Sequence, residues 1–154
     1  MRTKLTAFVA IMGVSLLAEP AFSHHSFAAE YDQNRALKLT GTVIKVEWQN
    51  PHTYLYIDVT DKKSGKVTSW TFEMGSPSGL VRRGWTSETA KIGMTVTVEG
   101  AQAKNGGTRA NARNVIINGK KLDAASSQEL QPYVGLDFNQ PVIDSLGAGQ
   151  GTNP

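Results

Sequence analysis

The stretch Thr53-Tyr54-Leu55-Tyr56-Ile57-Asp58-Val59-Thr60, continued by Asp61-Lys62-Lys63-Ser64-Gly65 and Lys66-Val67-Thr68-Ser69-Trp70-Thr71-Phe72-Glu73, decides how this chain folds. Leu55, Ile57 and Val59 recur at every second position, the period of a strand with one buried face. Asp-Lys-Lys-Ser-Gly is turn chemistry, and the run behind it reads as the return strand of a hairpin. Setting Asp61 opposite Lys66 places Leu55 across from Phe72, Ile57 across from Trp70 and Tyr54 across from Glu73. This register gathers the apolar residues on one face and leaves Tyr54, Tyr56, Thr71 and Glu73 on the other.

Working outward, the run Leu37 to Trp48 is a strand that changes phase. Leu37, Leu39 and Val43 are apolar at odd positions, then Ile44, Val46 and Trp48 at even ones. Such a switch of buried face needs a bulge or bend, which the sequence places at Gly41. Asn50-Pro51 turns the chain into the hairpin. Beyond it, Ser76-Pro77 reads as a cap and first-turn proline for one or two helical turns that Gly84 stops. Two more strands follow, Met94 to Gln102 and Thr108 to Ile117, joined by a turn at Lys104-Asn105-Gly106-Gly107, and Asn118-Gly119 closes the last. The expected fold is therefore mainly β: a five-stranded, OB-like Greek-key barrel with a short helix between strands three and four, a small open sandwich being the rival.

The ends say where the protein works. A basic start (Arg2, Lys4), an apolar run from Leu5 to Ala18, and Ala21 and Ser23 at the minus-three and minus-one positions read as a secretory signal cut near Ser23. The expected address is periplasmic or secreted, with about 130 residues left for one domain. No apolar run reaches the roughly 20 residues of a spanning helix. The chain has no cysteine, which excludes disulfides, thiolate metal sites and thiol nucleophiles. The layout is a signal at 1–23, an arm at 24–36, the β-domain at 37–123 and a mostly disordered tail at 124–154, rich in Ser, Gln, Gly, Asn and Pro. Formal net charge is +3, and no Lys or Arg follows Lys121, so the body is more basic than the total suggests. Export turns that excess toward an envelope glycan, a small anionic ligand, lipid head groups or a protein partner rather than nucleic acid. Ordinary solvated lysines are the commoner account of so modest an excess.

His24-His25-Ser26-Phe27, Leu39-Thr40-Gly41-Thr42-Val43, Glu47-Trp48 with Asn50-Pro51-His52, Phe72-Glu73-Met74-Gly75-Ser76-Pro77, Arg82-Arg83-Gly84-Trp85-Thr86 and Arg109-Ala110-Asn111-Ala112-Arg113 occur in an order that resembles domain-of-unknown-function family 6152, small exported bacterial proteins. The resemblance covers about His24 to Lys121. It implies an envelope location and a small β-barrel, and no activity.

Three constellations could carry chemistry. Cleavage after Ser23 makes His24 the first residue; its amine and imidazole can chelate copper, with His25 beside it and His52 as the further nitrogen. Glu47, His52 and Glu73 fall on one face of the hairpin register and form a possible mixed nitrogen and oxygen ligand group, while a polar chain start and a turn-capping His52 explain the same histidines. Next, the outward face with Tyr54, Tyr56, Thr71 and Glu73, flanked by Lys45 and Glu47, suits stacking on a polymer, or is secondary core under the tail or helix. Last, the loop from Glu73 to Trp85 joins a helix start to Arg82 and Arg83 and could hold a carboxylate or phosphate. No nucleophile elbow or acid-base spacing marks the chain as an enzyme. The leading expectation is a periplasmic binding or accessory module, and a copper protein using His24 with His52 is the alternative.

Overall fold

A computed structural model describes residues 27–126 of the chain. In order, the elements are α1 (Phe27–Glu30), β1 (Tyr31–Glu47), β2 (Tyr54–Thr60), β3 (Val67–Glu73), α2 (Pro77–Arg82), β4 (Thr95–Ala103), β5 (Arg109–Ile117) and β6 (Lys120–Asp123). The protein is mainly β. All six strands form one sheet in the order β3-β2-β1-β4-β5-β6. An additional parallel pairing of β3 with β5, Thr71 with Arg109 and Glu73 with Asn111, turns five of these strands into a ring.

The hairpin has the register that alternation dictates: Leu55 pairs with Phe72, Ile57 with Trp70 and Tyr54 with Glu73. Asp61 fixes its turn, accepting on Oδ1 from the backbone N–H groups of Lys63 and Ser64 and from the Ser64 hydroxyl. Those three donors hold the Asp61 carboxyl below its ordinary value, the Ser64 N–H first among them.

β1 changes its buried face as expected, but the bulge is not at Gly41. The register with β2 slips between Val43 and Lys45, so Ile44 is the extra residue and lies exposed, and Val46 resumes packing on the core. Gly41 answers a different need: a Cβ there would lie 2.5 Å from the Asp58 carbonyl oxygen, so β1 passes β2 more closely than any side chain allows. Gly100 does the same on β4, opposite the bulge at Arg113 of β5, where a Cβ would meet the Asn111 carbonyl oxygen at 1.7 Å.

β1 also begins earlier than its alternation suggests. Tyr31 to Ala36, placed in an arm by the sequence, belong to the strand, with Tyr31 opposite Ala103 and Ala36 opposite Ala101 on β4 and a break in register between them. At the other end, Ala124 to Ser126, assigned to the tail, are buried, and the Ala124 carbonyl accepts from the Gly75 N–H.

The core fills the ring with Val43, Leu55, Ile57, Phe72, Met74, Val96, Val98 and Val115, and α2 closes one end with Leu80. Each such aliphatic or aromatic side chain contributes roughly 1.5–3 kcal/mol by leaving water. α2 starts as its sequence predicts, with Ser76 as the cap accepting from the Gly79 N–H and Pro77 in the first turn. Behind it, Trp85 is buried and donates its indole N–H to the Asp123 carbonyl at 2.8 Å.

Candidate functional site

Ring closure lines up two rows of side chains across four strands. Lys45, Tyr56, Thr71 and Arg109 are successive cross-strand partners, and so are Glu47, Tyr54, Glu73 and Asn111. Cross-strand neighbours on one face stand about 5 Å apart, so each row is a contiguous strip of side chains.

Glu73 is the centre of the second row and is buried. Its Oε2 accepts from Arg109 Nη2 at 2.8 Å and from the Tyr31 hydroxyl at 3.0 Å, and its Oε1 lies 3.6 Å from His52 Nδ1. Arg109 also reaches Glu30 at 3.4 Å and lies over the Tyr31 ring, 5.9 Å from its centroid. A buried carboxylate is costly unless paired and hydrogen-bonded, and here both conditions hold. Burial opposes the Arg109 cation, yet the hydrogen bond to Glu73 and the surrounding negative charge leave its pKa raised. Burial first, then the Glu73 charge, pushes the phenols of Tyr31 and Tyr54 up, so both remain neutral hydrogen-bonding groups.

In the first row, Glu47 accepts from the Tyr56 hydroxyl at 2.5 Å and pairs with Lys45 at 2.5 Å, while the Lys45 ammonium lies over the Tyr56 ring, 5.2 Å from its centroid. The Lys45 contact, then the Tyr56 contact, holds the Glu47 carboxyl below its ordinary value. The same hydrogen bond raises the Tyr56 phenol. Tyr54 and Tyr56 are half-buried, so part of each ring stays open to a ligand.

The expected residues divide as follows. Tyr54, Tyr56, Glu73 and His52 come together. Glu47 shares the face but is turned to Lys45 and Tyr56, and among the described residues no three His, Asp or Glu side chains gather to hold a metal. His24 and His25 lie outside the described residues. In the loop from Glu73 to Trp85, the guanidinium groups of Arg82 and Arg83 both lie beside Gly79, within 4.0 Å of where its Cβ would stand. Arg83 turns inward, contacting the Ala125 carbonyl and Asp123 Oδ1, the latter at 3.3 Å, and so fastens the chain as it leaves β6. Arg82 stands exposed at the end of a six-residue helix whose first turn its own Ser76 already caps.

Sequence reasoning missed Tyr31, Glu30 and Arg109. Tyr31 and Arg109 lie 42 and 36 positions from Glu73, and only the β3–β5 closure and the early start of β1 bring them to it. The available signal was the parity of Arg109 with Thr71, which becomes legible once a ring is assumed.

A family model described as a family of unknown function (DUF6152) matches residues 12–112. No curated protein matches the chain. Among solved structures it is similar to the mitochondrial single-stranded DNA binding protein Rim1 of S. cerevisiae, with 11% identity, a TM-score of 0.44, and coverage of 54% of this chain and 92% of that one. That likeness is too slight to bear on what this chain binds. No helix among the described residues is long and apolar enough to cross a membrane.

Proposed function

Because the chain belongs to DUF6152, a family of unknown function, its family supplies no activity, and we propose from the residues themselves an exported binding or accessory module. In this reading the ring of strands is a small OB-type barrel, and it holds a polymeric envelope glycan on the outer face of β2 and β3. The single observation that carries the reading is the pair of four-strand rows, Lys45-Tyr56-Thr71-Arg109 and Glu47-Tyr54-Glu73-Asn111.

The character of these rows favours a sugar. Two tyrosine rings on alternate positions of one strand offer flat apolar surfaces, and the groups around them offer fixed donors and acceptors, the combination that recognises a polyhydroxylated ring. A small anion is less well served, because Lys45 and Arg109 already pair with Glu47, Glu73 and Glu30. The leader-like start, with its cut near Ser23, supports an address where glycans are the abundant polymer.

Calorimetric titration of the processed protein with soluble peptidoglycan fragments tests the proposal. Saturable binding that weakens at least about tenfold in the Tyr54→Ala/Tyr56→Ala double variant is expected, since one stacked ring is worth about 1–3 kcal/mol. Binding unaffected by the double substitution overturns it. Retention of an envelope protein in place of any glycan would move the face to a protein partner.

A further inference from the structure

The arginines that end α2 take no part in the glycan face, and we infer that Arg82 and Arg83, with the hydroxyls of Ser76 and Ser78, form a second site that holds a phosphate monoester beside Gly79. The inference rests on no part of the glycan reading.

Helical spacing assembles the site. Side chains three and four positions on lean back over the same turn, so Arg82 and Arg83 both run over Gly79. The point where a Gly79 Cβ would stand lies 3.1 Å from Ser76 Oγ, 3.7 Å from Arg83 Nη2 and 4.0 Å from Arg82 Nη2. Ser78 Oγ is 3.5 Å from Ser76 Oγ, so a second hydroxyl borders the same spot. The Gly79 N–H is already taken by Ser76, and the donors that remain are side chains.

Charge leaves this cluster incomplete. The two Nη2 atoms are less than about 8 Å apart, and like charges that close repel. One carboxylate offsets them: Asp123, 3.3 Å from Arg83 Nη1, the same nitrogen that contacts the Ala125 carbonyl. Those contacts pin Arg83 through Nη1 and leave its Nη2, on the Gly79 side, without an acceptor among the described residues. Arg82 is exposed and makes no hydrogen bond or ion pair with any described residue. One guanidinium is thus held in place and the other is free to close over a ligand.

The donors select the ligand. A carboxylate offers two oxygens in one plane, whereas a phosphate monoester offers three terminal oxygens and close to two charges. Two guanidinium groups and a pair of hydroxyls converging on one point from different directions match the latter. Glycine at position 79 keeps that point clear, since any side chain there would stand among the donors.

Inorganic phosphate is titrated into the processed protein at low salt, with the arginine side-chain Nε–H signals as the readout. Saturable shifts at Arg82 and Arg83 are expected, with amide shifts confined to residues 76–83. Arg82→Ala should weaken binding at least about tenfold at an unchanged unfolding midpoint, because its side chain has no partner to lose. Gly79→Ala keeps both charges but fills the space, and should weaken binding as well. Lys66→Ala removes an equal charge from the turn at the far end of β3 and should leave binding unchanged. A second arm adds vesicles with and without phosphatidic acid. Co-sedimentation that Arg82→Ala abolishes assigns the phosphate to a lipid headgroup, and phosphate binding without co-sedimentation assigns it to a soluble phosphoester; both sustain the site. No saturable shift with phosphate, or a loss in Lys66→Ala as large as in Arg82→Ala, overturns the inference. The Tyr54→Ala/Tyr56→Ala variant should bind phosphate as before, so failure of the glycan reading and failure of this one are separable.

Discussion

Glu73 and Glu99 are both buried carboxylates on this sheet, and the protein neutralises them in different ways. Glu99 sits between Lys38 at 3.1 Å and Lys121 at 2.7 Å, and it accepts from the Asn114 side chain at 3.1 Å. Two flexible ammonium groups reach in, one from β1 and one from β6, and the adjacent row carries the Thr40–Thr97 hydroxyl pair at 2.8 Å. Glu73 is held by one planar guanidinium and a phenol, beside an imidazole and opposite the half-buried Tyr54. Lysines close over a charge and then return to solvent, whereas a guanidinium fork holds its partner in one geometry. The first arrangement seals a sheet; the second builds a surface with fixed donors.

The comparison breaks first, and most strongly, at Arg109. Arg109→Ala leaves the Glu73 carboxylate buried without its cation, and urea unfolding should show a loss of about 3 kcal/mol at unchanged slope. Lys38→Ala should cost less than about 1 kcal/mol, because Lys121 remains. Equal losses at the two sites would remove the distinction between them.

The acid limb of stability sharpens the Glu99 side. Burial raises the Glu99 carboxyl, but the hydrogen bonds from Lys121, Lys38 and Asn114 outweigh it and hold the group below its ordinary 4.5. The unfolded chain therefore binds this proton more tightly than the folded one. The contribution is complete above about pH 4.5 and is lost as pH falls through the lower native value. Glu99→Gln should cost about 1–2 kcal/mol at neutral pH and flatten the acid limb of the midpoint-versus-pH curve. An unchanged limb would mean that Glu99 titrates alike in both states.

A smaller effect is expected at Tyr31. Tyr31→Phe removes one hydrogen bond to Glu73 and should cost about 1 kcal/mol, and it should also speed amide exchange at residues 27–31, which that bond ties down. Thr40→Val, on the face without rings, should move the midpoint least, by no more than about 0.5 kcal/mol, and leave glycan titrations untouched.

The hairpin was legible because alternation and turn chemistry agree: one register satisfies Leu55, Ile57, Trp70 and Phe72 together, and it sets Tyr54 beside Glu73. Export and the short helix were expected from equally local signals, and the structure places the helix at Pro77–Arg82. The bulge was misplaced because a glycine in a strand answers either a bend or a close approach, and at Gly41 it answers the latter. Tyr31 to Ala36 carry no alternation, so the pairing of Tyr31 and Ala36 with β4 is decided by the partner strand and not by themselves. The half of the site that sequence missed, Tyr31 and Arg109, depends on contacts between distant segments that no local pattern encodes. Arg83 shows the converse: its charge was visible, but its inward contact with the Ala125 carbonyl depends on where β6 ends.

The most direct test of the account is a map of backbone amide shifts in the processed protein as soluble peptidoglycan fragments are added. The account predicts saturable shifts confined to residues 45–47, 54–56, 71–73 and 109, the strips that meet at Glu73. Shifts centred on residues 38–40, 97–99 and 114–121, around Glu99, would contradict it, as would a spectrum that does not move.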